Sequence, residues 1–437
     1  MAKKKQPIDN TQNKKGFLDS FKKKTPTLEF YDASAMFIGQ FILQYMLQLV
    51  MLIVASSILK YKLGIDTSTT SSAEAVDNAF NAFTASIGGI ILVTLLNETT
   101  MLLSPLCYWK IKSFNVFKGM GFKRKVNGGQ IAMTLPIAIG LLAGFMPLAS
   151  VFVNLIYKTG YNYSGANIVV DSFGKLVLYL IFVAAIPAIC EETMHRGIIA
   201  RGGSRISIFA GIILSSTIFA LMHGSPMQLV HQFFVGVVCC LVYYMTGSIW
   251  ANILVHFFNN AITLISGYVI YLITGSTDLA IPWWGMIILC VGGLAILVGC
   301  LIAMYKISYA KRKKEDKKFG IEEQAEVCKD EISKVVYTDK KQRIKEFNKK
   351  IVKSFKSFND KLAYLFKSPQ DTLEEMSKKR ELDDELKDYS EEKKEVYASL
   401  RQDDKVQLKK KNSRAIIFAL VVVTVIWIIN TVAGYVS

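Results

Sequence analysis

Long apolar runs separated by short polar connectors fill the chain from residue 35 to residue 305, and one more apolar run closes it. Runs of roughly 20 residues, the length a helix needs to cross a bilayer core, occur at 35–58, 83–105, 131–156, 175–199, 206–222, 228–246, 249–272, 283–305 and 415–435. Several contain Gly, Ser or Pro, which membrane helices tolerate because neighbouring groups re-satisfy the backbone. The pattern predicts an all-α fold: a polytopic transmembrane helical bundle of about eight spans plus one C-terminal span, with a charged cytoplasmic helical segment.

Four zones follow: a basic cytoplasmic arm (1–30), a transmembrane bundle (31–306), a charged cytoplasmic segment (307–413) and a C-terminal transmembrane helix (414–437). In the charged segment, Ile344, Phe347, Ile351, Phe355 and Phe358 recur at near-helical spacing. The stretch LEEMSKKRELDDELKDYSEEKKEVYASL reads as solvated helix or short coiled coil rather than a globular domain. Such a tail suits a tethered element that contacts a protein partner or regulates, or equally a plain spacer. The sequence shows no internal repeat.

Charge fixes the expected orientation. The 437 residues are 51% hydrophobic, yet Lys and Arg number 52 against 35 Asp and Glu, a formal excess of +17. The excess is not spread evenly. Lys3, Lys4, Lys5, Lys14, Lys15, Lys22, Lys23 and Lys24 precede the first run, and KIKSFNVFKGMGFKRK, RGGSR and KISYAKRKKEDKK occupy every second connection. The alternate connections, GIDTSTTSSAEAVDN, TGYNYSGANIVVD and TGSTDLA, are nearly free of Lys and Arg. This positive-inside pattern puts the N-terminus and the tail in the cytoplasm. It accounts for the basicity without a nucleic-acid partner, so the lipid bilayer is the expected surroundings and no nucleic acid is. The first run is too long for a signal h-region and lacks a small-residue cleavage site. A Lys-rich chain of this kind fits a multi-pass protein of a bacterial plasma membrane. Of the cysteines (Cys107, Cys190, Cys239, Cys240, Cys290, Cys300 and Cys328), most lie in apolar runs and none forms a C-x-x-C pair, so inert thiols rather than disulfides are expected.

Inside these runs the polar residues are few and clustered. The four histidines, His195, His223, His231 and His256, all fall in the fourth to seventh runs. In IPAICEETMHRGIIA (186–200), Glu191 and His195 are four apart, as are Glu192 and Arg196, so each pair shares a helical face. A central charge in a membrane helix costs roughly 2.5–3.5 kcal/mol, so such a group calls for partners or a water-filled cavity. The simplest structural reading is that Glu192 and Arg196 neutralise each other, which leaves Glu191 without a full counter-charge. Phe219 and His223 share one face of the fifth run, and His256 and Asn260 one face of the seventh. Pro187, just before the carboxylates, is placed to kink the fourth helix. His231, beside Gln228 and Gln232, reads as a span-end polar residue.

Chemically, the set supplies a carboxylate as general base, an imidazole to hold water and donors for an oxyanion. Ser215, Ser216 and Cys190 lie nearby, but nothing pairs them with a base, which favours attack by water. The rival readings are a purely structural ion cluster, a proton-relay transporter, which would show inverted-repeat symmetry that the halves lack, and a di-metal oxidase. The last needs a partner for Glu192-x-x-His195, and no second E-x-x-H occurs. One difficulty is depth. With straight helices Glu191 and His256 fall in the inner half of the bilayer and His223 toward the outer end of its run. Convergence therefore requires a span that is tilted, broken or short.

E-E-x-x-x-R (Glu191, Glu192, Arg196), F-x-x-x-H (Phe219, His223) and H-x-x-x-N (His256, Asn260), in this order, resemble the three motifs of the CPBP family. That family comprises CAAX prenyl-protein endopeptidases and the bacteriocin-processing or immunity-type Abi proteins. The resemblance covers roughly 130–272 and is strengthened by Arg196-Gly197, His223-Gly224 and TGSIWANILVHFFNN. It implies an intramembrane endopeptidase acting on membrane-associated or lipidated peptides or membrane proteins. Glu191 would be the general base, His223 would help bind the water, and His256 and Asn260 would stabilise the oxyanion. Glu192 and Arg196 would fix the base, with Phe219 supporting. No cofactor is implied by this version. Members were long called metalloproteases, and zinc on Glu191, His223 and His256 is the alternative. The lack of H-E-x-x-H and the donor character of Asn260 favour the metal-free form. The family usually carries an aromatic or aliphatic residue where His195 stands, so His195 either tunes the base, adds a ligand or replaces a packing residue. A non-catalytic scaffold or regulator of envelope proteins on the same fold is the alternative function.

Overall fold

Lipid offers the backbone no hydrogen-bond partner, so each apolar run must close its own N–H and C=O groups within a helix. The computed structural model describes residues 28–63, 83, 86–112, 119–161, 168–276, 280–319, 353–354, 356–376 and 391–436. No strand occurs among them. The helices are α1 (Phe30–Leu63), α2 (Ile87–Lys112), α3 (Gly128–Tyr157), α4 (Phe173–Gly203), α5 (Ile208–Met222), α6 (Leu229–Thr246), α7 (Ile249–Thr274) and α8 (Trp283–Lys318). Two short helices, α9 (356–366) and α10 (369–376), follow, and α11 (Glu391–Val436) ends the chain. Residues 1–27 and the expected apolar positions Ile344, Phe347, Ile351 and Phe355 lie outside the described residues.

Among the described residues, eight helices are long and apolar enough to cross a membrane, α1 to α4, α6 to α8 and α11. The expected fifth span is different. Helix α5 has 15 residues, a rise of about 22 Å against the roughly 30 Å of a bilayer core. It starts where the Ser207 side chain caps the Ala210 N–H at 2.9 Å. It stops at His223 because Gly224 takes a left-handed φ of +66°, a conformation that side chains with a Cβ resist. A short 3-10 turn, Pro226–Gln228, then feeds the antiparallel α6. The tip of this α5–α6 hairpin therefore lies within the depth of the bundle.

Small residues let the helices close on each other. A Cβ on Gly140 of α3 would sit 2.6 Å from the Leu297 backbone nitrogen of α8. Gly140 and Gly144 thus form the small-xxx-small crossing by which membrane helices approach closely. Helix α11 packs on α1 and on α5, and a Cβ on Gly224 would meet its Asn430 side chain at 2.7 Å.

The basic connections gather at one end. Arg205 Nε donates to the Leu28 carbonyl at 3.2 Å, and Ser248 Oγ donates to the Arg124 carbonyl at 2.7 Å. The Tyr31 N–H donates to Asn412 Oδ1 at 3.3 Å. Part of the charged tail is docked at this end too. Asn359 Oδ1 accepts from the Ile208 N–H at 2.8 Å, capping the start of α5. Arg124 Nη2 donates to the Leu365 and Lys367 carbonyls at 3.3 and 2.8 Å. Leu362 and Leu365 are buried, and the Phe366 ring packs on Tyr243 and Tyr244, with centroids 5.2 and 5.0 Å away. Phe358, one of the expected apolar positions, stays largely exposed.

Candidate active site

Helix α4 carries the paired carboxylates and is not a regular α-helix. The α-helical Ile186–Glu192 is flanked by π-helical Leu180–Ala185 and Thr193–Ala200. Wide turns of this kind are rare and concentrate at functional sites. Pro187 lacks the N–H that would close an α-turn onto Val183, and Asn260 Nδ2 of α7 reaches that carbonyl at 3.5 Å. The distortion expected from Pro187 takes the form of a π-turn directly before it.

Glu192 is the centre of the buried network and is fully shielded from solvent. Arg196 Nη1 lies 2.7 Å from its Oε1. His256 Nδ1 lies 2.8 Å from the same oxygen, and Asn252 Nδ2 donates to Oε2 at 2.5 Å. An ion pair and two side-chain hydrogen-bond partners on one carboxylate are what a buried charge requires, because unpaired it would lose its whole hydration. Arg196 also donates from Nη2 to the Gly236 carbonyl at 3.3 Å, and its guanidinium lies 4.6 Å from the Phe219 ring centroid.

Glu191, one residue earlier, is left outside this network. Its side chain is 14% exposed, and its Oε2 lies 3.8 Å from His256 Nε2. That oxygen has no hydrogen-bond partner among the described residues. Glu192 holds His256 by Nδ1 and so turns Nε2 toward Glu191. His223 is pinned in the same way, with Nδ1 2.8 Å from the Phe219 carbonyl. The Phe219 ring supports both imidazoles through edge contacts, with centroids 4.9 Å from His223 and 5.7 Å from His256.

Glu191, Glu192, Arg196, Phe219, His223 and His256 are thus brought together. The depth conflict disappears because α5, which ends before His223 as expected, is too short to cross. Asn260 is placed differently. One turn beyond His256, its amide bonds Val183, and its Oδ1 accepts from Asn259 Nδ2 at 3.1 Å. His195 is fully buried and packs on Phe219, with centroids 5.0 Å apart, and neither ring nitrogen has a partner among the described residues. There it occupies the space of a packed apolar ring. His231 faces Asn259 across the α6–α7 interface, at the edge of the cluster. Ser215 Oγ donates to the His195 carbonyl at 2.8 Å and Ser216 Oγ to the Ile212 carbonyl at 2.7 Å, so both hydroxyls serve the backbone. All cysteines among the described residues are free thiols; Cys328 lies outside them.

Two residues were missed by the sequence reading. Asn252 stands four before His256, so an N-x-x-x-H-x-x-x-N repeat was there to be seen. Glu98, in LLNETTMLL of α2, is a buried carboxylate whose Oε2 has no partner among the described residues. Helix α2 packs against Ile186–Glu192, and Glu98 lies within electrostatic range of Glu191. A lone carboxylate in an apolar run was the available signal.

Zinc would need three converging donors. Pinned Nδ1 atoms are the usual second-shell arrangement of ligating histidines. Yet among the described residues no three His, Cys, Asp or Glu side chains are grouped to hold a metal ion, so the donor set does not fit the Glu191, His223 and His256 alternative as it stands.

A buried ion network on a widened membrane helix, with a spare carboxylate facing one pinned imidazole and a second pinned imidazole on the Phe219 ring, is the feature to set against known proteins. Residues 173–262 match the Rce1-like type II CAAX prenyl endopeptidase family. The Rce1-like segment runs from the start of α4 into α7 and contains every motif residue from Glu191 to Asn260. It is narrower than the 130–272 expected from the motifs. Helices α1, α2, α3 and α8, the docked tail and α11 lie outside it. Likeness to endopeptidases on a segment built of apolar helices points to cleavage of peptide bonds within the membrane. No curated protein and no solved structure matches the chain.

Proposed function

We propose that the chain is an intramembrane endopeptidase that hydrolyses membrane-associated or lipidated peptides with water activated by Glu191. The observation that carries this reading is the division of labour between adjacent carboxylates. Glu192 is saturated by Arg196, His256 and Asn252, whereas Glu191 Oε2 is unpartnered and faces His256 Nε2 at 3.8 Å. A gap of that length suits one bridging atom better than a direct hydrogen bond.

In this mechanism Glu191 takes a proton from water held with the help of His223 Nε2. The resulting hydroxide attacks the scissile carbonyl, and the proton passes from Glu191 to the leaving amine. Glu192 at Nδ1 stabilises an imidazolium, so His256 holds a proton at Nε2 for the developing oxyanion. Asn260 adds a donor once substrate draws its amide away from Val183. The basic end, where the docked tail sits, would face the cytoplasm of a bacterial plasma membrane, in line with the alternation of Lys-rich connections.

The test is cleavage by the purified chain in lipid, with a quenched-fluorescent transmembrane peptide and a peptide ending in an isoprenylated cysteine. Cleavage of at least one that survives chelation supports the reading. Cleavage lost on chelation and restored by zinc moves the water onto a metal, and no cleavage of either overturns the proposal.

A further inference from the structure

At the basic end, the α2–α3 connector, the end of α8 and the docked α9–α10 pair enclose a cavity of about 350 Å³. Lys123, Arg124, Lys125, Lys311, Arg312 and Lys318 line it, against the single carboxylate of Glu315. Some of this charge is already engaged. Arg312 Nε pairs with Asp316 at 2.7 Å, and its Nη1 donates to the Tyr364 carbonyl at 3.0 Å. Among the described residues, Arg124 donates to neutral backbone carbonyls of the tail. Lys311 Nζ donates to the Lys125 carbonyl and lies 3.9 Å from Glu315. The side chains of Lys123, Lys125 and Lys318 have no hydrogen-bond or ion-pair partner among the described residues.

The lining is therefore electropositive and incompletely neutralised. Burial and the neighbouring Arg312 guanidinium hold Arg124 below the usual arginine range, although Glu315 and Asp371 act the other way. Convergent cations around a concave site attract anions with several oxygens, phosphate above all. The position adds to this. The cavity lies where the apolar runs of α3 and α8 give way to charge, and Phe319 at its rim is 40% exposed. Basic pockets between membrane helices at this level are suited to anionic headgroups.

We propose that this cavity is a binding site for a phosphate-bearing anion, supplied by a lipid headgroup or a free phosphate compound. Bound there, the anion ties the tail to the α6–α7 turn. Met245 and Thr246 line the cavity, and Ser248, which begins α7, donates to the Arg124 carbonyl. Helix α7 then leads to Asn252 and His256.

The experiment uses the full chain, delipidated in detergent, titrated with phosphatidylglycerol, phosphatidylcholine or inorganic pyrophosphate and read by native mass spectrometry. Lys123→Gln with Lys318→Gln removes two exposed cavity charges that have no partner among the described residues, without touching the arginines that hold the tail. Lys314→Gln with Lys317→Gln removes the same charge from α8 outside the cavity. Binding should weaken about five-fold for each cavity lysine removed, about 25-fold for the pair, and less than about two-fold in the control pair. Phosphatidylglycerol alone binding assigns a headgroup, pyrophosphate alone a free phosphate, and both support the site. The proposal is overturned when neither binds, when phosphatidylcholine binds as tightly as phosphatidylglycerol, or when the control pair weakens binding as much as the cavity pair.

Discussion

His256 is anchored by Glu192 and not by Glu191: its Nδ1 lies 2.8 Å from Glu192 Oε1, while its Nε2 lies 3.8 Å from Glu191 Oε2. Two neighbouring carboxylates on one helix thus have different work. One completes a buried ion network, and the other keeps a bare oxygen at the site.

That division predicts opposite phenotypes for two isosteric changes. Glu192→Gln removes the counter-charge of fully buried Arg196, and breaking a buried pair costs roughly 3–5 kcal/mol. Its thermal midpoint in detergent should fall sharply. Glu191→Gln should melt as the unmodified protein does. Equal melting of both variants would remove the structural role given to Glu192.

Asn252 and Asn260 flank His256 by one turn each, yet only Asn252 bonds Glu192. Hydrogen bonds to a buried charge contribute about 1.5–3 kcal/mol, neutral ones about 0.5–1.5. Asn252→Leu should therefore destabilise the fold more than Asn260→Leu. The order of the two melting temperatures checks it.

His195 lies among the rings of Phe37 and Phe219 with both nitrogens unpartnered among the described residues. A polar ring buried without hydrogen bonds is unfavourable. His195→Phe should leave cleavage within about two-fold of the unmodified rate and keep or raise the melting temperature. A loss of activity with unchanged folding would mean that the imidazole takes part in the chemistry.

The docked tail should be sensitive to acid. Burial alone would raise the Asp371 carboxyl, but its bonds to Ser368 and the positive charges of Arg201 and Arg124 outweigh this and hold it below the usual carboxylate range. The ionised form is thus favoured in the docked state. Its contribution is complete above the free carboxyl value of about 3.9 and is lost as pH falls through the lower docked value. Hydrogen exchange of residues 356–376, followed downward from neutral pH, should rise only below about pH 4. Exchange that is already fast at neutral pH would contradict the docking.

Much of this arrangement was legible in local sequence. Apolar runs of spanning length set the helices, and i,i+4 spacing put Glu192 with Arg196 and Phe219 with His223. What stayed hidden depended on distant partners or on backbone geometry. The run 206–222 ends at Met222 in sequence and structure alike, but counting it as a span hid that its 15-residue helix is too short to cross and closes at Gly224 and the Ser225-capped turn. The π-turns around Glu191 and Glu192 have no signature beyond Pro187. Glu98 approaches from α2, and the tail docks through Asn359 and Phe366, whose partners lie far along the chain. Neither could be assigned from neighbours in sequence.

The most direct measurement is cleavage of a membrane-inserted peptide by Glu191→Gln, His223→Ala and His256→Ala, each matched to the unmodified protein in elution and melting. Turnover is expected to fall by about 10² to 10⁴ for Glu191→Gln, the usual weight of a general base, and to fall clearly for both histidine variants. Cleavage at the unmodified rate by all three would contradict a water held between Glu191 and the two pinned imidazoles.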